Sequence, residues 1–196
     1  MRWRRHRPGT HDQTIEPANA NDFKELTRLL DKANEYSLER SGLPAWGLKE
    51  YALRELAEHL NDGACYVMRD KQKIVATMTI TDKDWLWGDK STDGTALYFH
   101  KLMKDPECRI RNIGLIFISF VAHRALTQNK KFIRCDVISS QEQLVKYYLK
   151  LGFIHKASFT YRPSGRPGVF LEASADEIIK RITALDVLKS QGTHEI

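Results

Sequence analysis

The spacing of apolar positions changes several times along the chain, and each change marks an element. Phe23, Leu26, Leu30 and Ala33 recur at helical spacing behind Asn21-Asp22, a pair suited to capping a helix. Leu53, Leu56, Ala57 and Leu60 repeat that spacing in a second helix starting near residue 48, and Asn61-Asp62-Gly63 stops it. Shorter β-rich runs follow a different rule. Thr14-Ile15-Glu16 predicts a strand, and residues 65–68 and 74–80 predict a hairpin around the Asp70 to Lys73 turn. A polar stretch carrying Trp85 and Trp87 separates that hairpin from a strand over 96–103. Residues 113–128 are apolar on nearly every side, which predicts a buried helix. Next come a strand over 132–138, a helix over 142–151, and a strand from 153 that pairs with 169–171 across a Gly- and Pro-rich loop. A helix over 176–188 closes the order. Strands and helices alternating in this way predict an α/β sheet covered by helices.

Composition adds limits. A chain of 196 residues with 42% hydrophobic and 29% charged content suits one globular domain with its own core. The longest apolar run, 115–121, is interrupted by Ser119 and is too short to cross a bilayer. No apolar stretch follows the N-terminal arginines as a secretory leader requires, so a cytoplasmic location and no membrane association are expected. Cys65, Cys108 and Cys135 are odd in number and lack ligand spacing, and the seven histidines show no i, i+4 pairing. Free thiols and no metal are therefore expected. Half of the net charge of +6 lies at the start, where four arginines at 2, 4, 5 and 7 face only Asp12. Residues 1–13 read as a disordered basic tail, and nucleic acid is not the expected partner.

Two segments carry chemistry. Arg109-Ile110-Arg111-Asn112-Ile113-Gly114 is a basic, flexible turn that runs straight into the apolar helix. The first turn of a helix has unpaired N–H groups at the positive end of its dipole, so this layout forms a main-chain cradle for a phosphate. Downstream, Tyr147-Tyr148 precedes Gly152-Phe153, and the glycine is placed to end the helix. No phosphate-binding loop with its lysine and hydroxyl occurs anywhere, which argues against phosphoryl transfer.

The order of elements, together with these segments, resembles the GCN5-related N-acetyltransferase (GNAT) superfamily across 14–173. The family motif Q/R-x-x-G-x-G/A falls on Arg109, Asn112 and Gly114, and the preceding L-x-V-x-P pattern falls on Leu102, Lys104 and Pro106. The later pattern N-x-x-A/L-x-x-x-Y-x-x-x-G-F falls on Gln141, Leu144, Tyr148, Gly152 and Phe153. The chain departs from the pattern at three of these positions: Asn112 replaces glycine, Lys104 a small apolar residue, and Gln141 asparagine. If position 112 needs a positive φ, asparagine is the next most tolerant residue.

The resemblance implies a single domain over 14–173, a mixed, mostly antiparallel twisted sheet with two splayed central parallel strands, and a C-terminal helical extension over 174–196. It also implies an acetyl-CoA-dependent N-acetyltransferase acting by direct attack of a primary amine on the thioester. The alternative is a non-catalytic acyl-CoA sensor on the same fold. Leu102, Met103 and Lys104 would line the splay, while Arg109, Ile110, Arg111, Asn112, Ile113, Gly114, Leu115 and Gln141 would hold the cofactor. Tyr148 takes the position of the family's general acid. Tyr98, His100 and Leu102 share a strand face by alternation, which makes His100 the candidate base, since imidazole exchanges protons near neutrality. Trp46 and Tyr98 are the candidate substrate contacts. The expected acceptor is a small-molecule or protein amine, and a homodimer is compatible with this reading.

Overall fold

In the computed structural model, which describes residues 3–5, 13–42, 44–46, 49–162 and 164–191, the first long helix is launched by Asn19. Its side chain accepts the Asn21 N–H at 3.0 Å, and Asp22 accepts the Asn19 N–H at 2.9 Å, a capping box closed over the 3-10 turn Ala20–Asp22. The expected Asn21-Asp22 cap is therefore corrected to a site just upstream. Asp22 has a second task, because Arg69 donates to both its oxygens at 2.9 Å and to Glu16 at 2.8 Å. Helix α1 (Phe23–Ser41) buries Leu26, Leu29 and Leu30 and ends at Gly42, whose φ of 70° lets its N–H return to the Leu38 carbonyl. Phe23, expected on the buried face, is 38% exposed as the first helical residue, and Leu29 takes its place in the core.

The chain divides into two units, one of residues 1–80 with 100–117 and one of 81–99 with 118–196. The first contains β1 (Trp3–Arg5), β2 (Gln13–Pro17), α1, α2 (Lys49–Asn61), β3 (Cys65–Asp70) and β4 (Lys73–Thr81). These strands pair antiparallel in chain order, with Trp3 opposite Ile15, Ile15 opposite Met68 and Met68 opposite Ala76. Part of the segment expected as a tail thus has strand backbone, at Trp3–Arg5, and the other residues before Gln13 lie outside the described residues. Leu26, Leu30, Ala52, Leu56, Val67, Ile74 and Met103 form the core. Helical and strand periods meet there, which is what fixes the faces of α1 and α2.

Strand β5 (Ala96–Lys104) and helix α3 (Ile113–Thr127) run from one unit into the other. The second unit also holds β6 (Phe132–Ile138), α4 (Glu142–Leu151), β7 (Ile154–Thr160), β8 (Pro167–Ser174) and α5 (Ala175–Gln191). β5 pairs with β6 in parallel, from Ala96 opposite Phe132 to Tyr98 opposite Arg134. β6 stays paired antiparallel with β8 as far as Ile138 opposite Gly168, and β7 pairs antiparallel with β8. α5 begins directly after β8 and buries Ala175, Ile178 and Ile182.

A buried guanidinium organises this unit. Arg134 donates to Glu172 at 2.8 Å, to the Tyr98 hydroxyl at 2.7 Å, to the Lys90 carbonyl at 2.9 Å and to Asp93 at 3.2 Å. Its guanidinium carbon also lies 5.3 Å from the Trp87 ring centre. The 3-10 segment Trp85–Thr92, kinked at Gly88, is thereby tied to the sheet. Arg134→Met should lower stability by about 3 kcal/mol or more in urea unfolding, because it strands the Glu172 carboxylate, whereas Lys156→Met, at a half-exposed partner of Glu172, should change it by less than about 1 kcal/mol. Acid should act through Asp93. Partial burial raises its pKa, but bonds from the Thr95 N–H, Arg134 and the Thr95 hydroxyl outweigh that and bring it down from 3.8 to about 2. Its contribution is full above the ordinary value and is lost as pH falls toward 2, so the wild-type unfolding midpoint should drop across that window more than that of Asp93→Asn.

Candidate active site

In the first unit the candidate residues lie on the end of β5, the loop after it and the first turn of α3. Lys101 adopts a φ of 48° in mid-strand, a left-handed backbone that non-glycine residues rarely take. The alternation of half-buried His100 and Leu102 with buried Lys101 and Met103 continues across it. His100 and Leu102 are half-buried, Met103 is buried and Lys104 is exposed. The Lys101 ammonium is buried and donates to Glu55 of α2 at 2.7 Å. His59, one turn along α2, has its Nδ1 buried without a hydrogen-bond partner among the described residues. Burial, with the positive charges of Lys101 and a protonated His100, lowers its pKa.

The loop starts at Asp105, which is fully buried. Its carboxylate accepts Arg28 at 3.0 Å, Lys73 at 3.0 Å, Lys32 at 3.4 Å and the Glu107 N–H at 3.1 Å. Its main chain is held too, with its N–H on the Val75 carbonyl at 2.8 Å and its carbonyl accepting the Cys108 N–H at 2.9 Å. The loop ends at Asn112, whose φ is 59°, so the position does require the left-handed region. The Ile116 N–H bonds the Asn112 carbonyl at 3.1 Å and opens the helical ladder. The amides of Ile113, Gly114 and Leu115 precede it and have no acceptor within the helix. No acidic residue lies in that turn, and Arg109 and Arg111 are exposed beside it. Charge and main chain there are both of the kind that suits an anion.

In the second unit Gln141 precedes α4 with its side chain free of any capping bond, and Tyr148 is 4% exposed. Gly152 ends α4 at φ 101°, and a Cβ there would meet Arg181 Nε at 2.8 Å, so only glycine fits. That turn brings the Phe153 N–H to the Tyr148 carbonyl at 3.1 Å and packs the two rings 5.1 Å apart. Phe99 and Tyr147 complete the surroundings at 5.9 and 5.5 Å. Burial, then the neighbouring Cys135, Tyr147 and Asp136, push the Tyr148 phenol well above 10, and burial alone pushes Tyr147 up to about 12. Tyr161 donates to Asp136 at 2.5 Å.

Tyr98, expected at the substrate, is buried in the second unit's core with Trp87 and Ala96, donates its hydroxyl proton to the Lys90 carbonyl and accepts from Arg134. The Arg134 cluster therefore occupies its polar end. Trp46 packs half-buried against the first unit's core and donates its backbone N–H to the Asn34 side-chain oxygen at 3.2 Å. Trp87 is core, whereas Trp85 is 73% exposed. Asp105, Lys101, His59 and Tyr161 escaped the sequence reading. Only Asp105 had a local signal, a carboxylate preceding proline where a strand ends.

A mixed sheet with one parallel strand pair, flanked by helices and followed after β5 by an arginine-flanked turn into a helix, defines the class as an α/β fold. The Acetyltransferase (GNAT) family model matches residues 24–153, and the chain belongs to that family. Among solved structures it resembles a GNAT acetyltransferase from Listeria monocytogenes 4b F2365, at 19% identity and TM-score 0.68 over 88% of this chain and 99% of that one. It resembles the ribosomal-protein-S18-alanine N-acetyltransferase of Escherichia coli at 11% identity and TM-score 0.60 over 83% and 94%. A putative acetyltransferase from Salmonella typhimurium, solved with its cofactor acetyl-CoA, matches at 15% and TM-score 0.56 over 84% and 95%. At these identities the likeness establishes the fold. No curated protein sequence matches the chain. All three cysteines are free, and no helix among the described residues is long and apolar enough to cross a membrane. The left-handed turn can be checked directly: Asn112→Gly should be at least as stable as the wild type, and Asn112→Val less stable by about 1–2 kcal/mol in urea unfolding.

Proposed function

We propose that the chain is an acetyl-CoA-dependent N-acetyltransferase for a primary amine of a small molecule or protein. The observation that carries this reading is the first turn of α3, opened by left-handed Asn112, free of acidic residues and flanked by Arg109 and Arg111. Those features fit a diphosphate, which the amides from Ile110 to Leu115 would hold largely by main chain. Family membership supports assigning Leu102, Met103 and Lys104 to the same carrier through their backbone groups, with Gln141 offering its side-chain amide. Trp46 remains the candidate apolar contact for the amine, while Tyr98 is better read as a core residue.

The carrier supplies an activated acetyl thioester: the amine nitrogen bonds to its carbonyl carbon and the carbon–sulfur bond breaks. His100 takes the proton lost by the amine, directly or through water. Tyr148 keeps its proton across neutral pH, because burial disfavours the phenolate, and gives it to the departing sulfur. Donors for the developing negative charge on oxygen come from the β5 main chain, so no side chain is required for that task.

Incubation with acetyl-CoA and an amine panel should release free thiol. Tyr148→Phe should lower kcat by about 10–100-fold while leaving the KM for acetyl-CoA within about twofold. Tight calorimetric binding of acetyl-CoA with no thiol release across the panel would instead assign the acyl-CoA sensor role.

A further inference from the structure

Asp105 is a buried charge whose bonds reach well beyond its own strand. Arg28 and Lys32 come to it from α1 and Lys73 from the start of β4, while its backbone joins Val75 and Cys108. A carboxylate this deeply buried is tolerated only when matched, and removing one member of such a set leaves the others unsatisfied. Burial raises its pKa, but Lys73, the Glu107 N–H, Arg28 and Lys32 outweigh that and hold the carboxyl far below the usual range, so it is ionised at any working pH. Lys32 and Lys73 also reach Glu107, at 2.9 and 3.8 Å. These cations are thus engaged inside the cluster, which leaves Arg109 and Arg111 as the exposed positive charge of the loop.

The loop of residues 106–112 is consequently fixed at both ends, by Asp105 where β5 stops and by Asn112 where α3 starts. A segment held in its bound shape loses less freedom when a ligand arrives, and that saving appears as affinity. Nothing in the cluster is placed on the acetyl-transfer chemistry.

We propose that Asp105 is a positioning residue of the anion cradle: through its bonds to Arg28, Lys32, Lys73 and Glu107 it holds the loop in the shape that receives a diphosphate, and so sets affinity for the diphosphate-bearing carrier. This rests on the reading under Proposed function. The test compares acetyl-CoA with S-acetylpantetheine, which carries the same thioester but no diphosphate, using an amine that the wild type acetylates. Asp105→Asn should raise the KM for acetyl-CoA about tenfold, with kcat, the KM for the amine and kcat/KM for S-acetylpantetheine each within about twofold of wild type. Lys73→Gln should raise the same KM about threefold and add nothing in the Asp105→Asn background, since both changes break one cluster. If Asp105→Asn fails to fold, Lys73→Gln with the two donors decides alone. Equal loss on both donors, an unchanged KM for acetyl-CoA, or tighter binding at low salt from the freed cations would overturn the proposal. Absence of thiol release by the wild type would instead refute the functional reading on which it stands.

Discussion

Water solvates an isolated carboxylate or guanidinium better than any single protein contact can, so a charge taken out of water has to be matched where it lies. Each unit of this chain is arranged around one such charge. In the first, Asp105 gathers two side chains of α1, one from β4 and a main-chain amide. In the second, Arg134 gathers Glu172, Asp93, the Tyr98 hydroxyl and the Lys90 carbonyl. Asp105 sits where β5 hands over to the cradle loop, and Arg134, within β6, binds the end of the kinked 3-10 segment. Apolar burial would hold these segments to the core without choosing their orientation. Directional bonds to a charge choose it.

Two left-handed residues show where that control is applied. Lys101 and Asn112 stand on either side of the cradle loop's anchor, and such backbone costs a non-glycine residue about 1–2 kcal/mol. Asn112 has the side chain that tolerates it best. Lys101 does not, and its conformation is held by burying the ammonium against Glu55. Backbone of this kind persists where surrounding structure over-determines it, which is common at functional sites. Its occurrence beside His100 and Leu102 agrees with the roles proposed for them.

What the sequence disclosed follows from the range of each interaction. Helices α1 to α4, the β3–β4 hairpin, the Gly152 cap and the basic turn into α3 were legible, because each is written in residues a few positions apart. The left-handed Asn112 was legible for the same reason. The cap of α1 was misplaced among neighbouring residues that can all cap, and only the distant Arg69 decides which of them is needed elsewhere. The left-handed backbone at Lys101 was not legible, and the partner of its ammonium, Glu55 of α2, lies 46 positions away. Tyr98 was assigned to substrate by its face alone, and its hydroxyl was claimed by Arg134, 36 positions on. Families of motifs point to a site's chemistry. They are silent on the long-range bonds that set its geometry.

Tyr148 poses the last question, since a phenol whose pKa is pushed well above 10 is a weak acid on its own scale. The cause of the shift answers it. Burial penalises an anion whatever atom carries it, and the Cys135 thiol, which contributes to the Tyr148 shift, is itself pushed up by burial. A departing thiolate in similar surroundings would gain affinity for a proton by the same mechanism. The relevant quantity is then the difference between phenol and thiol in one medium, not either value against water. In the proposed mechanism, surroundings that raise both would keep Tyr148 protonated until sulfur carries charge, and would make transfer of its proton favourable only once it does.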